Sequence, residues 1–104
     1  MNTRDIEYYV QLVKLKNFTK VANLFHVSQP TITYAVQRLE KELNAVLIVR
    51  DRSHNELLIT PAGHQLFIHA QSILQEITRA KAEIQQLQTK KIRLGMPPII
   101  GNEY

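Results

Sequence analysis

Residues 28–43, SQPTITYAVQRLEKEL, carry the pattern that decides the fold. In a helix that turns by about 100° per residue, their apolar side chains fall on one side and their polar side chains on the other. The apolar side holds Ile32, Ala35, Val36, Leu39 and Leu43. The polar side holds Gln29, Pro30, Thr33, Tyr34, Gln37, Arg38 and Lys41. The pattern predicts a helix that packs along one side and leaves the other free for contact.

Helix start signals mark the beginning of this helix and predict two further helices before it. Ser28 is a strong cap, and Pro30 falls in the first turn, where a missing N–H costs no hydrogen bond. A first amphipathic helix follows a cap at Asn2 or Thr3 and is marked by Ile6, Tyr9, Val10 and Val13. A second, short helix follows a cap at Asn17 and is marked by Phe18, Val21, Ala22 and Phe25.

The corner between the second and third helices predicts a helix-turn-helix. Ala22 is small where the two helices must cross, and Val27 is apolar where the corner must be buried. His26 occupies the tightest point, where a residue that tolerates positive φ is needed. The fold class is therefore mainly α, with three helices in a helix-turn-helix arrangement.

The segment after the third helix predicts a wing and a long helix. Apolar residues 45–50, polar residues 51–56 and apolar residues 57–59 are typical of a small β-hairpin with a charged tip. Thr60 and Pro61 form a strong helix start, and the helical pattern runs from there to about Gln88. Lys91–Met96 is predicted as a strand, and residues 97–104 as the beginning of a further element, so we expect a fragment of a longer protein.

These elements make duplex DNA the expected partner. A B-form major groove admits one α-helix, and the polar side of the third helix offers Gln29, Thr33, Tyr34, Gln37 and Arg38. The helix N-termini at Asn17 and Ser28 add backbone donors for phosphate oxygens. Arg50 and Arg52 near the hairpin tip are candidates for a minor groove or the DNA backbone.

Plainer interpretations stay open for the same residues. A polar helix side is in most proteins merely solvated. Arg50 and Arg52 can pair with Asp51 and Glu56 instead of DNA, and Tyr34 can lie over Arg38 as simple packing.

At this point the chain resembles the LysR-type transcriptional regulators of bacteria. The similarity lies in residues 8–43, in LLITPAGHQL at residues 57–66 and in KIRLGM at residues 91–96. It implies a winged helix-turn-helix DNA-binding domain at 1–60, a linker and dimerisation helix at 61–89, and the start of a truncated effector-binding domain at 90–104. It also implies that Gln29, Pro30 and Thr33 meet base edges, that Thr19, Thr31 and Arg38 contact the DNA backbone, and that a wing arginine enters the minor groove.

The chain departs from the family pattern at specific places. Tyr34 stands where members commonly carry Arg, Leu43-Asn44 stands for the usual Leu-Gly, and the wing between Arg50 and Thr60 is slightly longer. These departures leave the operator sequence open but not the binding mode. The tail at residues 97–101, PPIIG, resembles regulators of malolactic and related organic-acid metabolism within the family.

The long helix carries an apolar seam that predicts self-association. The seam steps alternately by four and three residues, a period of 3.5, through Leu66, Ala70, Ile73, Ile77, Ala80, Ile84 and Leu87. Phe67 and Leu74 widen it at the start, so one end is expected to pack on the winged domain and the rest to pair with a partner. The resemblance implies a homodimer that reads an imperfect palindrome. Parallel or antiparallel pairing, and a tetramer of the longer protein, stay open.

Composition excludes other classes of protein. Thirteen Lys and Arg against nine Asp and Glu give the chain a formal net charge of +4. The absence of cysteine excludes disulfides and thiolate metal sites. No membrane span or secretion signal is present, so the expected compartment is the bacterial cytoplasm, at the nucleoid when bound to DNA.

A catalytic or metal-dependent role is not expected. His64 and His69 are five residues apart, and His26 and His54 have no acidic partner at ligand spacing, so no metal or other cofactor is predicted. Any small-molecule effector is expected to bind only a domain outside this chain. No enzymatic function is expected, and the alternative function is a protein-interaction module that works through the heptad helix.

Overall fold

The computed structural model describes residues 1–51 and 56–93, with side chains to Gln88. Its elements are helices α1 (Thr3–Leu15), α2 (Phe18–Phe25) and α3 (Gln29–Leu43), strands β1 (Ile48–Asp51) and β2 (Glu56–Ile59), and helix α4 (Pro61–Arg93). The strands form an antiparallel hairpin in which Ile48 pairs with Ile59 and Asp51 with Glu56. The predicted winged helix-turn-helix is thus confirmed.

The helix caps explain where the first elements begin and end. The side chain of Asn2 accepts from the Asp5 N–H at 2.8 Å, and that of Asn17 accepts from the Lys20 N–H at 2.9 Å. At the C-terminal ends, Lys16, His26 and Asn44 adopt left-handed conformations with φ of 52°, 58° and 54°. The predicted positive φ at His26 is confirmed.

Asn44 accounts for one departure from the family pattern. Its left-handed conformation lets the Ala45 N–H donate to the Glu40 carbonyl at 3.1 Å, which closes the end of α3. Such a position favours glycine, and asparagine is the side chain that tolerates it best after glycine. The replacement of Leu-Gly by Leu43-Asn44 therefore keeps the same helix end.

The core lies between the three short helices and the hairpin. Its largest fully buried side chains are those of Tyr9, Leu12, Val21, Ile32, Leu39 and Leu47. Tyr8 and Phe25 meet edge to face with ring centroids 4.9 Å apart, which joins α1 to α2. Among the residues with described side chains, every buried polar side-chain atom has a hydrogen-bond partner. The buried side of α3 is held against α1 and α2 by this packing.

The start of α4 is fixed by Thr60. Its hydroxyl oxygen accepts from the Gly63 N–H at 2.9 Å and itself donates to the Val46 carbonyl at 2.6 Å. One side chain thus caps α4 and ties it to the segment before β1, as the Thr60-Pro61 signal predicted for the cap. The first compact unit of the chain extends from Met1 to Leu74 and so includes the first turns of α4.

The end of α4 corrects one prediction. The helix continues to Arg93, so Lys91–Arg93 are helical and not the first half of a strand. The sequence contains no glycine or proline between Gly63 and Gly95, so nothing in this stretch interrupts the helix before Arg93. The rest of the predicted strand, residues 94–96, and the tail at 97–104 lie outside the described residues.

Candidate nucleic-acid interface

The outward side of α3 is a continuous polar surface. Gln29, Pro30, Tyr34, Gln37 and Arg38 are exposed, and Thr31 and Thr33 are half-buried. On the opposite side Ile32 and Ala35 are fully buried and Leu39 nearly so. The structure therefore brings together the residues predicted for base contact on one accessible helix side.

The first turn of α3 is organised by hydroxyl and amide side chains. Ser28 occupies the N-cap position of α3, as predicted, but its side chain makes no capping hydrogen bond. Its hydroxyl lies 2.9 Å from that of Thr31 instead, because the two side chains face each other across the turn. Thr19 of α2 donates to the Gln29 side-chain oxygen at 3.5 Å, and Thr33 donates to the Gln29 carbonyl at 3.4 Å. Pro30 has no N–H and the Thr31 N–H donates to the Ser28 carbonyl at 3.1 Å, so the Gln29 N–H is the donor of this turn that an anion can use.

A cleft of about 490 Å³ opens beside the N-terminus of α2. It brings together parts of α2, α3 and the wing that are distant in sequence. Its lining is formed by Lys16, Asn17, Phe18, Thr19, Gln29, Arg50, Asp51, Glu56 and Leu57. Asn17, Thr19, Gln29 and Arg50, which were predicted separately, thus share one surface.

Arg50 lies over an aromatic ring. Its guanidinium carbon is 4.5 Å from the ring centroid of Phe18, a geometry in which the cation is attracted to the face of the ring. This contact ties β1 to the start of α2, and the sequence interpretation of Arg50 did not include it. Arg52 and His54 lie outside the described residues.

Tyr34 is among the most exposed large side chains, with 58% of its surface accessible. In the described part of the chain the arginines that lie over tyrosine or phenylalanine rings are Arg4, at Tyr8, and Arg50, at Phe18. Stacking of Tyr34 on Arg38 is therefore not found there, because the Arg38 guanidinium is held elsewhere.

Arg38 forms a two-pronged ion pair with Asp5 of α1. Arg38 Nε donates to Asp5 Oδ2 at 3.0 Å, and Nη2 donates to Oδ1 at 2.8 Å. The hydrogen bond to this carboxylate raises the pKa of Arg38 above its ordinary value. Asp5 was not among the site residues predicted from the sequence. Its spacing of three, four and seven residues from Tyr8, Tyr9 and Leu12 places it on the buried stripe of α1, and this signal could have identified it.

Of the two residues that follow Arg38, one packs in the core and the other binds the segment that leads into the wing. Leu39 is buried in the core, and Glu40 Oε2 accepts from the Leu47 N–H at 2.9 Å and the Ile48 N–H at 3.4 Å. The Arg38-Leu39-Glu40 stretch thus joins α3 to α1, to the core and to the segment that enters β1.

The apolar seam of α4 divides into two parts. Leu66 packs against the core cluster around Tyr9 and Leu39, and Ala70 is buried with Ile6 and Val10. Further along, Ile77 is half-buried and the other seam residues are exposed, namely Ile73, Ala80, Ile84 and Leu87. The first part is therefore used within the chain, and the second part presents mostly exposed apolar side chains.

The described part of the chain contains neither a metal-binding cluster nor a membrane-spanning helix. No group of three or more His, Asp or Glu side chains is arranged there to hold a metal ion. No helix in residues 1–51 or 56–93 is both long and apolar enough to cross a bilayer.

Comparisons with known proteins agree with this geometry. Residues 3–64 match the family described as bacterial regulatory helix-turn-helix protein, lysR family. A malolactic fermentation system transcriptional activator of Lactococcus lactis subsp. lactis (strain IL1403) is 43% identical over 102 residues, which cover 98% of this chain and 35% of that protein. The DNA-binding transcriptional dual regulator OxyR of Escherichia coli (strain K12) is 34% identical, over 97% of this chain and 33% of that protein. The chain thus spans about a third of the length of these relatives.

Solved structures share the fold. The crystal structure of a CbnR_DBD-DNA complex is 32% identical with a TM-score of 0.77, covering 85% of this chain and 99% of that one. The BenM_DBD/benA site 1 DNA complex is 28% identical with a TM-score of 0.77, covering 85% and 97%. Since the family model matches more than half of the residues, the chain belongs to the lysR family of bacterial regulatory helix-turn-helix proteins.

Proposed function

We propose that this chain is the DNA-binding part of a LysR-type transcriptional regulator and that it recognises a specific duplex sequence with α3. The observation that carries the proposal is the two-sided burial of α3, whose polar side is exposed while Ile32, Ala35 and Leu39 anchor it. A helix held in this way fits the major groove with its N-terminal residues against base edges. Two structures of the same fold that were solved as DNA complexes support duplex DNA as the ligand.

The proposed roles follow the chemistry of the side chains. Gln29 and Gln37 suit the paired donor and acceptor of adenine, and Pro30 and Thr33 suit a thymine methyl. Tyr34 is placed where it can contact bases or sugars. Thr19, Thr31 and Arg38, together with the helix N-termini at Asn17 and Ser28, would hold backbone phosphates. Arg50 and Arg52 would contact the adjacent minor groove or backbone.

The chain is further proposed to act as a homodimer. Ile73, Ile77, Ala80, Ile84 and Leu87 form the seam, and apolar side chains left exposed at this period gain burial when a second helix covers them. Two copies would read the half-sites of a pseudo-palindromic operator. A small-molecule effector would act on another part of a longer regulator, and the site of action would be the bacterial cytoplasm. The relatives are named as regulators, and no enzymatic role is proposed for this chain.

A selection of duplexes from a random library, followed by gel shifts at fixed salt, tests the proposal. We expect the wild-type chain to enrich one sequence family. Gln29→Ala combined with Thr33→Ala should lower affinity for that sequence by about a hundredfold, because each base-specific contact contributes about 1–3 kcal/mol of discrimination. Affinity for an unrelated duplex should change little, because phosphate contacts are retained.

The matched control is Gln71→Ala combined with Ser72→Ala, which removes the same kinds of exposed side chain from α4. This control should bind as the wild type does. Unchanged operator affinity in the Gln29→Ala, Thr33→Ala variant would refute the role of α3. A wild-type chain that enriches no duplex sequence would instead favour the alternative in which the heptad helix is the working surface and the winged part is inert.

A further inference from the structure

The ion pair between Asp5 and Arg38 joins one buried and one accessible side chain. The Asp5 side chain is 4% exposed and the Arg38 side chain is 56% exposed. Nε and one hydrogen of Nη2 are used by the carboxylate. Nη1 has no partner in the described part of the chain, so this end of the guanidinium faces outward beside the polar side of α3.

We propose that Asp5 is a positioning residue for DNA binding, which fixes the guanidinium of Arg38 so that its outward edge bonds a backbone phosphate beside the recognition helix. The inference rests on the proposed function and adds to it a residue outside the helix-turn-helix. Asp5 itself would not contact DNA.

The surroundings of Asp5 make it a rigid support. Its backbone N–H is bonded to Asn2 Oδ1 at 2.8 Å in the capped first turn of α1, where a negative charge is favourable. A buried carboxylate is stable only when it is paired, which holds the arginine in place. A free arginine would lose side-chain entropy on binding a phosphate, and Arg38 has already lost most of it in the ion pair.

Charge alone and positioning predict opposite results when Asp5 is neutralised. Asp5→Asn removes one negative charge near the interface, so simple electrostatics predicts tighter binding to a polyanion. If Asp5 orients Arg38, the same change frees the guanidinium and weakens binding. The sign of the effect therefore separates the two explanations.

The experiment compares Asp5→Asn with Glu7→Gln on a duplex of mixed sequence over a range of salt. Glu7 lies on the same helix, is 3.9 Å from Arg4 and is partly exposed, so its variant has the same change in charge. We expect Asp5→Asn to bind about tenfold more weakly. The slope of log affinity against log salt should fall by about 0.9 per protomer, the value of one phosphate contact. Glu7→Gln should bind at least as well as the wild type with the same slope.

A double variant tests whether Asp5 acts through Arg38. Asp5→Asn combined with Arg38→Met should bind with the affinity and slope of Asp5→Asn alone, because the phosphate contact is already lost. Thermal melting of each variant shows whether it is folded at the temperature of the measurement. A much weaker double variant would mean that Arg38 holds its phosphate without Asp5, and the inference would be wrong.

The wild-type chain supplies a measurement that does not depend on the folding of variants. In an isotope-labelled sample, the Arg38 Nε–H signal should keep its position when DNA is added, while the Nη signals shift. Movement of the Nε–H signal to that of a free arginine would show that DNA breaks the ion pair, and this result overturns the inference. If the wild type binds DNA and Asp5→Asn binds with the same affinity and the same salt slope, the inference is wrong but the proposed function stands. A wild-type chain that binds no duplex overturns the proposed function and the inference together.

Discussion

The hydroxyl of Tyr9 in α1 donates a buried hydrogen bond of 2.7 Å to the carbonyl oxygen of Gly63 in the first turn of α4. The two residues are 54 positions apart, and the Tyr9 side chain is fully buried. The ring packs with Leu39 and Leu47, while its polar end reaches the helix that follows the wing. This bond holds the start of α4 against the helix-turn-helix.

Tyr9→Phe should lower the free energy of unfolding and change its dependence on pH. The variant leaves the Gly63 carbonyl without its donor, at a cost of about 1–3 kcal/mol near neutral pH. Burial, with a smaller effect of the Glu40 carboxylate, raises the pKa of Tyr9 from 10.0 to about 12. The folded state therefore holds the proton more tightly. The resulting stabilisation is complete below the unfolded pKa and disappears as pH rises through the folded one.

Urea unfolding of the wild type and of Tyr9→Phe between about pH 9 and pH 12 checks this prediction. The gap between the two unfolding free energies should narrow as pH rises, because only the wild type loses the contribution of Tyr9. Two curves that stay parallel over this range would contradict it. The two proteins differ only at residue 9, so the difference between their curves isolates the contribution of Tyr9.

Gly63→Ala should destabilise the fold, although the same change stabilises most helices. An added Cβ would meet the Leu47 carbonyl oxygen, and it would lie 2.8 Å from both Ile59 Cγ2 and the Tyr9 hydroxyl. The usual gain of about 1 kcal/mol from Gly to Ala in a helix is outweighed by a clash with backbone, which we expect to cost about 1–3 kcal/mol net. Thermal melting with Ser72→Ala on the same helix as a control measures the effect. A raised melting temperature for Gly63→Ala would contradict this prediction, because it would show that α4 can move away from the Leu47 carbonyl without a loss of stability.

Local signals made most elements of this chain predictable. Asn2 and Asn17 cap helices, Thr60 caps α4, and His26 adopts positive φ because neighbouring residues alone require these roles. The apolar side of α3 was predictable for the same reason, since its period is contained in one segment.

The contacts that were missed join residues distant in sequence. Asp5 and Arg38 are 33 positions apart, and the ring of Phe18 meets Arg50 only because the hairpin folds back on α2. The Ser28 hydroxyl is bonded to the Thr31 hydroxyl, and this side-chain hydrogen bond replaces the one that Ser28 would make to a backbone N–H as a helix cap. The local pattern of residues 91–96 predicted a strand, whereas helix α4 continues through Lys91–Arg93. Pairing across the fold cannot be read from the periodicity of one segment.

Asn44→Ala should destabilise the chain and Asn44→Gly should not. Asn44 ends α3 with φ of 54°, where a Cβ without a polar group is disfavoured. We expect a loss of about 0.5–1 kcal/mol for alanine, and little change or a small gain for glycine, measured by urea unfolding. Equal effects of the two substitutions would show that the left-handed conformation does not decide the stability of this helix end.

Phe18→Leu should weaken DNA binding through Arg50. The ring 4.5 Å below the guanidinium fixes Arg50 at the edge of the cleft, and leucine keeps the apolar packing without the charge attraction. A double-mutant cycle with Arg50→Ala, read as affinity for a duplex at fixed salt, should give a coupling of about 0.5–1 kcal/mol. Additive effects of the two substitutions would mean that the Phe18 ring does not influence the contribution of Arg50 to DNA binding.

Ile84→Glu should convert the dimer into a monomer. Ile84 is 55% exposed in the single chain, so a carboxylate there costs little unless a second copy covers it. In a dimer the charge would be buried in an apolar seam at a cost of several kcal/mol. Gln86→Glu adds the same charge about 200° further round the helix and should leave association intact. Sedimentation velocity at several concentrations measures both, and affinity for a two-half-site duplex should fall sharply only for Ile84→Glu. A dimer that survives this substitution would place the interface on another surface, because an apolar seam that buries residue 84 could not accept an unpaired carboxylate from each copy.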